Sequence, residues 1–175
     1  MMRPFQTIEL RAIAQKIQVG WLPQKPSPGM SLHLMLHSDL QVTVVYPENK
    51  DPTPRQLQTA FAPLLSDLAR KFLAPRLLQL ADEHGFARPS LVRIGAPRTR
   101  WASRSSSGAI SLNYLLLFLP EALAAHILIH ELCHTVEMNH GPRFYALLRV
   151  NDPHAMAHDA AVKSAVRDYI PFWQK

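Results

Sequence analysis

The run His130-Glu131-Leu132-Cys133-His134, with His140 six positions later, constrains this chain more than any other feature. On an α-helix two histidines four residues apart lie on one face, one turn apart, which brings their imidazoles side by side and within reach of one ion. The surrounding residues agree. The stretch Pro120 to Asn139 predicts a helix: Pro120 suits its first position, Glu121 its positive end, and apolar residues recur at Leu123, Ile127, Leu128, Leu132 and Val136. A charged Glu131 on such a helix, between two histidines, is costly to bury unless something positive sits beside it. A metal ion supplies that charge, and the pentapeptide has the HExxH spacing of a zinc site with a built-in general base.

Catalytic zinc takes three protein ligands and leaves a position for water, so a third donor is required. His140 is the first candidate. Five residues separate it from His134, the spacing of metzincin-type sites, where a glycine lets the chain turn. No glycine stands there. Asn139 is the residue next best suited to a left-handed helix end, so the helix is expected to stop at Asn139 and swing His140 back. Asp152 and Asp159 remain alternative third donors. In the chemistry this implies, zinc polarises a substrate carbonyl and activates a water, while Glu131 takes the water's proton and passes it to the leaving amine. Arg100, Arg143 and Tyr145 are candidates to meet the developing oxyanion, although each reads more readily as a surface or packing residue. Cys133 reads as a small buried apolar group. His126 reads as a partly buried histidine or a support for the ligands. His154 and His158, four apart, lack a third ligand pattern, and His33 and His37 read as solvent-facing. Trp21, Trp101 and Trp173 read as core or interface.

The rest of the chain is expected to form an α+β fold. Leu32–His37 and Leu40–Tyr46 flank Ser38-Asp39 as a hairpin, and Ile8 to Val19 reads as extended. Pro23, Pro26, Pro28 and Gly29 mark a loop. Thr53-Pro54-Arg55-Gln56 is a capping box opening a helix that should run to about Phe72, break or kink at Pro75, and resume to His84 with Gly85 as its stop. Leu91–Ile94, Arg98–Ala102 and Ala109–Leu112 read as strands, and Pro142–Val150 and Pro153–Tyr169 as helices. Strands, helix, strands, helices in that order favour a small antiparallel sheet packed against helices. One domain over residues 1–175 follows, with N-terminal strands in 1–50, helices in 53–85, strands in 91–113 and metal-site helices in 120–170.

Composition narrows the setting. With 47% apolar and 18% charged residues the chain is expected to be globular, and no apolar run approaches the ~20 residues of a membrane span. The absence of a leader-like N-terminus and the single cysteine suit a cytoplasmic protein. A net charge of +6 admits nucleic acid as a partner, but the basic residues are scattered, and the densest group, Arg93, Arg98, Arg100 and Arg104, lies near the suspected site. Oligomeric state is not legible.

Taken together, Arg98-Thr99-Arg100-Trp101-Ala102-Ser103, Ala109-Ile110-Ser111-Leu112-Asn113, Pro120, the zinc pentapeptide and Asn139-His140-Gly141-Pro142-Arg143-Phe144-Tyr145 resemble the YgjP-type metallopeptidase family, described as predicted metal-dependent hydrolases and related to SprT-like zinc proteases. The match runs from Arg98 to about Val150. The resemblance implies a zincin-like minimal metalloprotease domain, Zn²⁺ as cofactor, His130, His134 and His140 as its ligands, and Glu131 as catalytic base. It also implies a strand bearing Arg100-Trp101, which as a sheet edge can pair with an extended peptide or protein substrate. Two positions depart from the family pattern: Ala102 stands where glycine is usual, and Tyr145 where tryptophan is usual. Beside the zinc peptidase reading stand two others: a SprT-like protein directed to DNA-bound proteins, and a protein whose zinc is only structural.

Overall fold

The computed structural model of the chain describes residues 5–97 and 99–175; Arg98, and with it the start of one expected strand, lies outside the described residues. The N-terminal sheet contains β1 (Thr7–Leu10), β2 (Gln15–Gln24), β3 (His33–Ser38) and β4 (Gln41–Pro47) in the order β1-β2-β4-β3. The segment expected to be extended from Ile8 to Val19 is a hairpin, β1 against β2, turned by Arg11–Ile13 and by Ala14 in the left-handed region. The expected β3–β4 hairpin is present, and its turn lies at Asp39-Leu40, where the Ser38 hydroxyl accepts the Leu40 N–H. Period-two alternation sends Ile8, Leu10, Ile17, Val19, Val42 and Val44 inward.

These strands meet α1 (Pro54–Glu83), which buries Leu57, Phe61, Leu65, Leu68, Leu73, Leu77 and Leu80. The capping box is realised in full: Thr53 accepts the Gln56 N–H and Gln56 accepts the Thr53 N–H. The end is a Schellman motif, with Gly85 at φ +69° and Phe86 N–H reaching the Ala81 carbonyl. The expected break at Pro75 does not occur. One helix of 30 residues passes through both Pro63 and Pro75. An interior proline costs ~3 kcal/mol, and the buried leucines on both sides of Pro75 outweigh it.

A second sheet, β5 (Leu91–Gly95), β7 (Ala109–Asn113) and β6 (Ala102–Arg104), runs in the order β5-β7-β6. The α+β expectation holds, while the sheets are mixed rather than antiparallel: β2–β4 and β5–β7 are parallel pairs. The strand expected at Arg98–Ala102 begins only at Ala102. The Asn113 side chain explains the shift. Its amide donates to the Pro97 and Arg100 carbonyls at 2.9 and 3.0 Å, and its backbone N–H donates to Trp101 O, which holds this segment as a loop.

The C-terminal third carries α2 (Glu121–Cys133), α3 (Pro142–Asn151) and α4 (Ala155–Tyr169). α2 is buried nearly all round and packs between α1, β6, α3 and α4. No helix among the described residues is long and apolar enough to cross a membrane.

Asn113 is 2% exposed, so Asn113→Asp, which keeps the shape but exchanges the donor for a second acceptor, is expected to cost roughly 2–4 kcal/mol. Hydrogen exchange should show faster opening at the Asn113 N–H, which donates to Trp101 O; unchanged protection there would contradict this assignment.

Candidate metal centre

α2 ends at Cys133, six residues earlier than its sequence pattern predicts. Thr135 makes the stop: its N–H and its hydroxyl both reach the Leu132 carbonyl, and the Val136 and Glu137 N–H groups fold onto Cys133 O. Asn139 is not left-handed; among the described residues the sole non-glycine with positive φ is Ala14. The early stop, rather than a left-handed cap, returns the chain so that His140 arrives from the turn before α3, where Pro142 opens the helix.

His130, His134 and His140 then offer nitrogens within 4.8 Å of one another. Nε2 of His130 and Nε2 of His140 are 3.0 Å apart. Two nitrogens bound to one tetrahedral ion at ~2.0–2.1 Å lie just over 3 Å apart, so the spacing fits a shared ion. His134 donates Nδ1–H to the Glu137 carbonyl at 3.0 Å, which leaves its Nε2 as the free lone pair. Phe144 is fully buried and packs against all three rings, with centroids 4.8, 4.6 and 4.7 Å from His130, His134 and His140. Burial, and then the neighbouring imidazoles, push His130 down to about 4; burial likewise lowers His134. Both are neutral at pH 7, the form that binds metal. The donor set and its protonation therefore suit a zinc-like ion.

Glu131 is 7% exposed, and burial pushes its carboxyl up to about 7, against the pull of the Arg104 backbone N–H and charge. Beside Glu131 and His130 lies a cavity of about 250 Å³ walled by Thr99–Ala102, Ile127, Asp159 and Val162. Arg100 and Trp101 line it. A second hollow, of about 660 Å³, is lined by His140, Tyr145, Arg149, Asp159 and Lys163, among others. Arg143 lines neither; it is exposed on α3. Asp159 and Asp152, the alternative third donors, do not group with both His130 and His134: Asp159 lies with His126 and His130, and Asp152 with His126 and His158.

The model of the YgjP-like metallopeptidase domain matches residues 29–165. The chain belongs to the YgjP-like metallopeptidase family. It is accordingly a metal-dependent hydrolase of the peptidase type, and the matched span contains every residue of the site. Among solved structures the chain is similar to the metallopeptidase zymogen of Pyrococcus abyssi abylysin, at 26% identity and a TM-score of 0.48, over 56% of this chain and 99% of that one. No curated protein matches.

Several contributors were not singled out from sequence. Phe144 stood only as part of a motif, and Arg104 only as one of a basic group. That group is divided in the fold: Arg93 and Arg100 are exposed, while Arg104 turns inward, its guanidinium on the Met138 sulfur and its N–H toward Glu131. Trp101, expected in the core or an interface, is a half-buried cavity wall. Cys133 is buried as expected, its thiol pushed up to about 12.

The folded Glu131 value lies above the 4.5 of an ordinary carboxyl. Between these pH values the folded metal-free chain binds more protons than the unfolded one, so its stability falls as pH rises from about 4.5 to about 7. Glu131→Gln removes that loss. Denaturation of chelator-treated protein at pH 5 and pH 8 should show the variant gaining roughly 2–3 kcal/mol on the parent at the higher pH. The same pH dependence in both proteins would contradict the burial of a titrating Glu131.

Proposed function

We propose that the protein is a zinc peptidase in which His130, His134 and His140 hold Zn²⁺ and Glu131 is the general base. The observation that carries this reading is the convergence of three imidazole nitrogens within 4.8 Å, with Glu131 beside them at a cavity open to substrate. Zinc, when bound, supplies Lewis acidity that polarises the scissile carbonyl and acidifies a water. Glu131 accepts the water's proton and returns it to the leaving amine; a carboxyl held near 7 by burial is poised for transfer in both directions. The Glu137 carbonyl keeps His134 in the tautomer that leaves Nε2 free, and Phe144 fixes the three rings.

The substrate is an extended peptide or protein segment. β6 is the edge of its sheet, and Ala102 at its start lines the cavity with Arg100 and Trp101, so a strand added along β6 leads toward Glu131. Arg100 lines the cavity beside Glu131 and Tyr145 lies near the His140 ring, and in this reading they meet the oxyanion or the peptide backbone. Arg143, exposed on α3, stands as a further candidate for such a contact. The protein works in the cytoplasm, and its basic charge serves its surface rather than nucleic-acid binding.

Elemental mass spectrometry and cleavage of an unfolded protein substrate test this reading together. The parent should carry zinc that His140→Ala loses. Glu131→Gln should keep zinc and lose activity by about 10²–10⁴-fold. A Glu131→Gln protein that cleaves at the parental rate would remove the base assignment, and a His140→Ala protein with undiminished zinc would remove the third ligand.

A further inference from the structure

One helical turn before His130, His126 enters a second polar cluster. Its Nδ1 lies 2.6 Å from Asp152 Oδ2, and His158 Nδ1 lies 2.8 Å from the same oxygen. Three segments thus bring one metal-ligating atom each to one point: α2, the connection between α3 and α4, and α4 itself. The other Asp152 oxygen accepts the His154 N–H at 3.0 Å, which sets the carboxylate's rotation and aims Oδ2 at the histidines.

Two features of this cluster call for a cation. Asp152 is 6% exposed, and among the described residues its ion-pair partners are histidines alone, with no lysine or arginine. A buried carboxylate without a full positive charge beside it is costly. The second feature is the tautomer of His126. Its Nε2 faces Asp159 Oδ1 at 3.1 Å while its Nδ1 faces Asp152. A neutral imidazole has one N–H. If Nε2–H donates to Asp159, Nδ1 carries a lone pair pointed at a carboxylate oxygen, a contact made favourable either by a second proton on the ring or by a metal cation between the two. A metal-bound histidine whose other N–H is held by a carboxylate is the usual pattern of metal-site support.

We propose that His126 Nδ1, Asp152 Oδ2 and His158 Nδ1 form a second divalent-cation site, separate from the three-histidine centre, of the nitrogen and oxygen kind that takes zinc or a similar first-row ion. The ion takes the place of protons now bridging the cluster, releasing them to solvent as it binds. At ligand distances of ~2.0–2.2 Å the donors spread to just over 3 Å. His158, with its side chain 20% exposed at the rim, has room to make that adjustment. Bound there, the cation fastens α4 to α2 one turn from His130 and holds Asp159 at the cavity wall.

The test is a metal count on the full chain, stripped with chelator, equilibrated with Zn²⁺ alone, desalted and measured by elemental mass spectrometry, with circular dichroism for folding. The parent should hold about two zinc ions, and His140→Ala, Asp152→Asn and His158→Gln about one each. A zinc-dependent rise in Tm should survive in His140→Ala and shrink in His158→Gln. A parent that saturates at one ion, lost in His140→Ala, overturns the second site and leaves the three-histidine reading standing. A single ion lost in Asp152→Asn and His158→Gln but kept in His140→Ala supports the second site and sinks the first. Should Asp152→Asn fail to fold, His158→Gln at the rim decides: parental zinc in that variant overturns the proposal.

Discussion

Phe144 touches His130, His134 and His140 at once, and the geometry of the centre depends on that contact. The histidines come from two separate pieces of chain, the end of α2 and the turn before α3. Nothing in either piece alone holds three imidazoles together. A fully buried aromatic ring does so by filling the space behind them and excluding water. The same burial keeps His130 and His134 neutral, so the packing that fixes the rings also readies their lone pairs. Water exclusion also raises Glu131 to about 7.

α2 links this centre to the core. Its apolar residues Leu123, Ile127, Leu128 and Leu132 are buried against the surrounding elements, while His126, His130 and His134 form a polar stripe at four-residue spacing. A stripe of that kind inside a protein needs partners, and each neighbouring element provides one. The β6 edge brings the Arg104 N–H to Glu131, the α3–α4 connection brings Asp152 to His126, and α4 brings Asp159 and His158. The polar groups of α2 before its last turn are therefore partnered by side chains and backbone far along the sequence, while His134 finds its partner locally in the Glu137 carbonyl.

Much of the site was legible before the fold was known, because helical spacing is a local rule. His130 and His134 four apart, Glu131 beside the first, and His140 within reach of a turn follow from that rule. The capping box at Thr53 and the glycine stop at Gly85 were legible for the same reason, since each involves residues within a few positions. Two readings failed where distant contacts outweigh local preference, and a third where one local contact forestalled another. Pro75 sits inside a continuous helix because flanking leucines are buried. The loop at 99–101 exists because Asn113, a dozen residues on, claims its carbonyls. Asn139 is not a left-handed cap because Thr135 had already ended the helix.

The sheets show the same division. Alternation in residues 40–46 announced a strand and its inward face, but not that β4 lies parallel to β2 with β3 outside it. Periodicity reports which side of a strand is apolar and carries no information on its neighbour. By itself, the sequence determined the candidate donor residues, the helix that presents two of them and the α+β class, all set by residue type and short-range spacing. Only the tertiary structure decided which buried ring braces the histidines, which strand edge faces Glu131, and that Asp152 and His158 meet His126. Those are contacts between residues far apart in the chain, and their energy comes from burial, which exists only once the chain has folded.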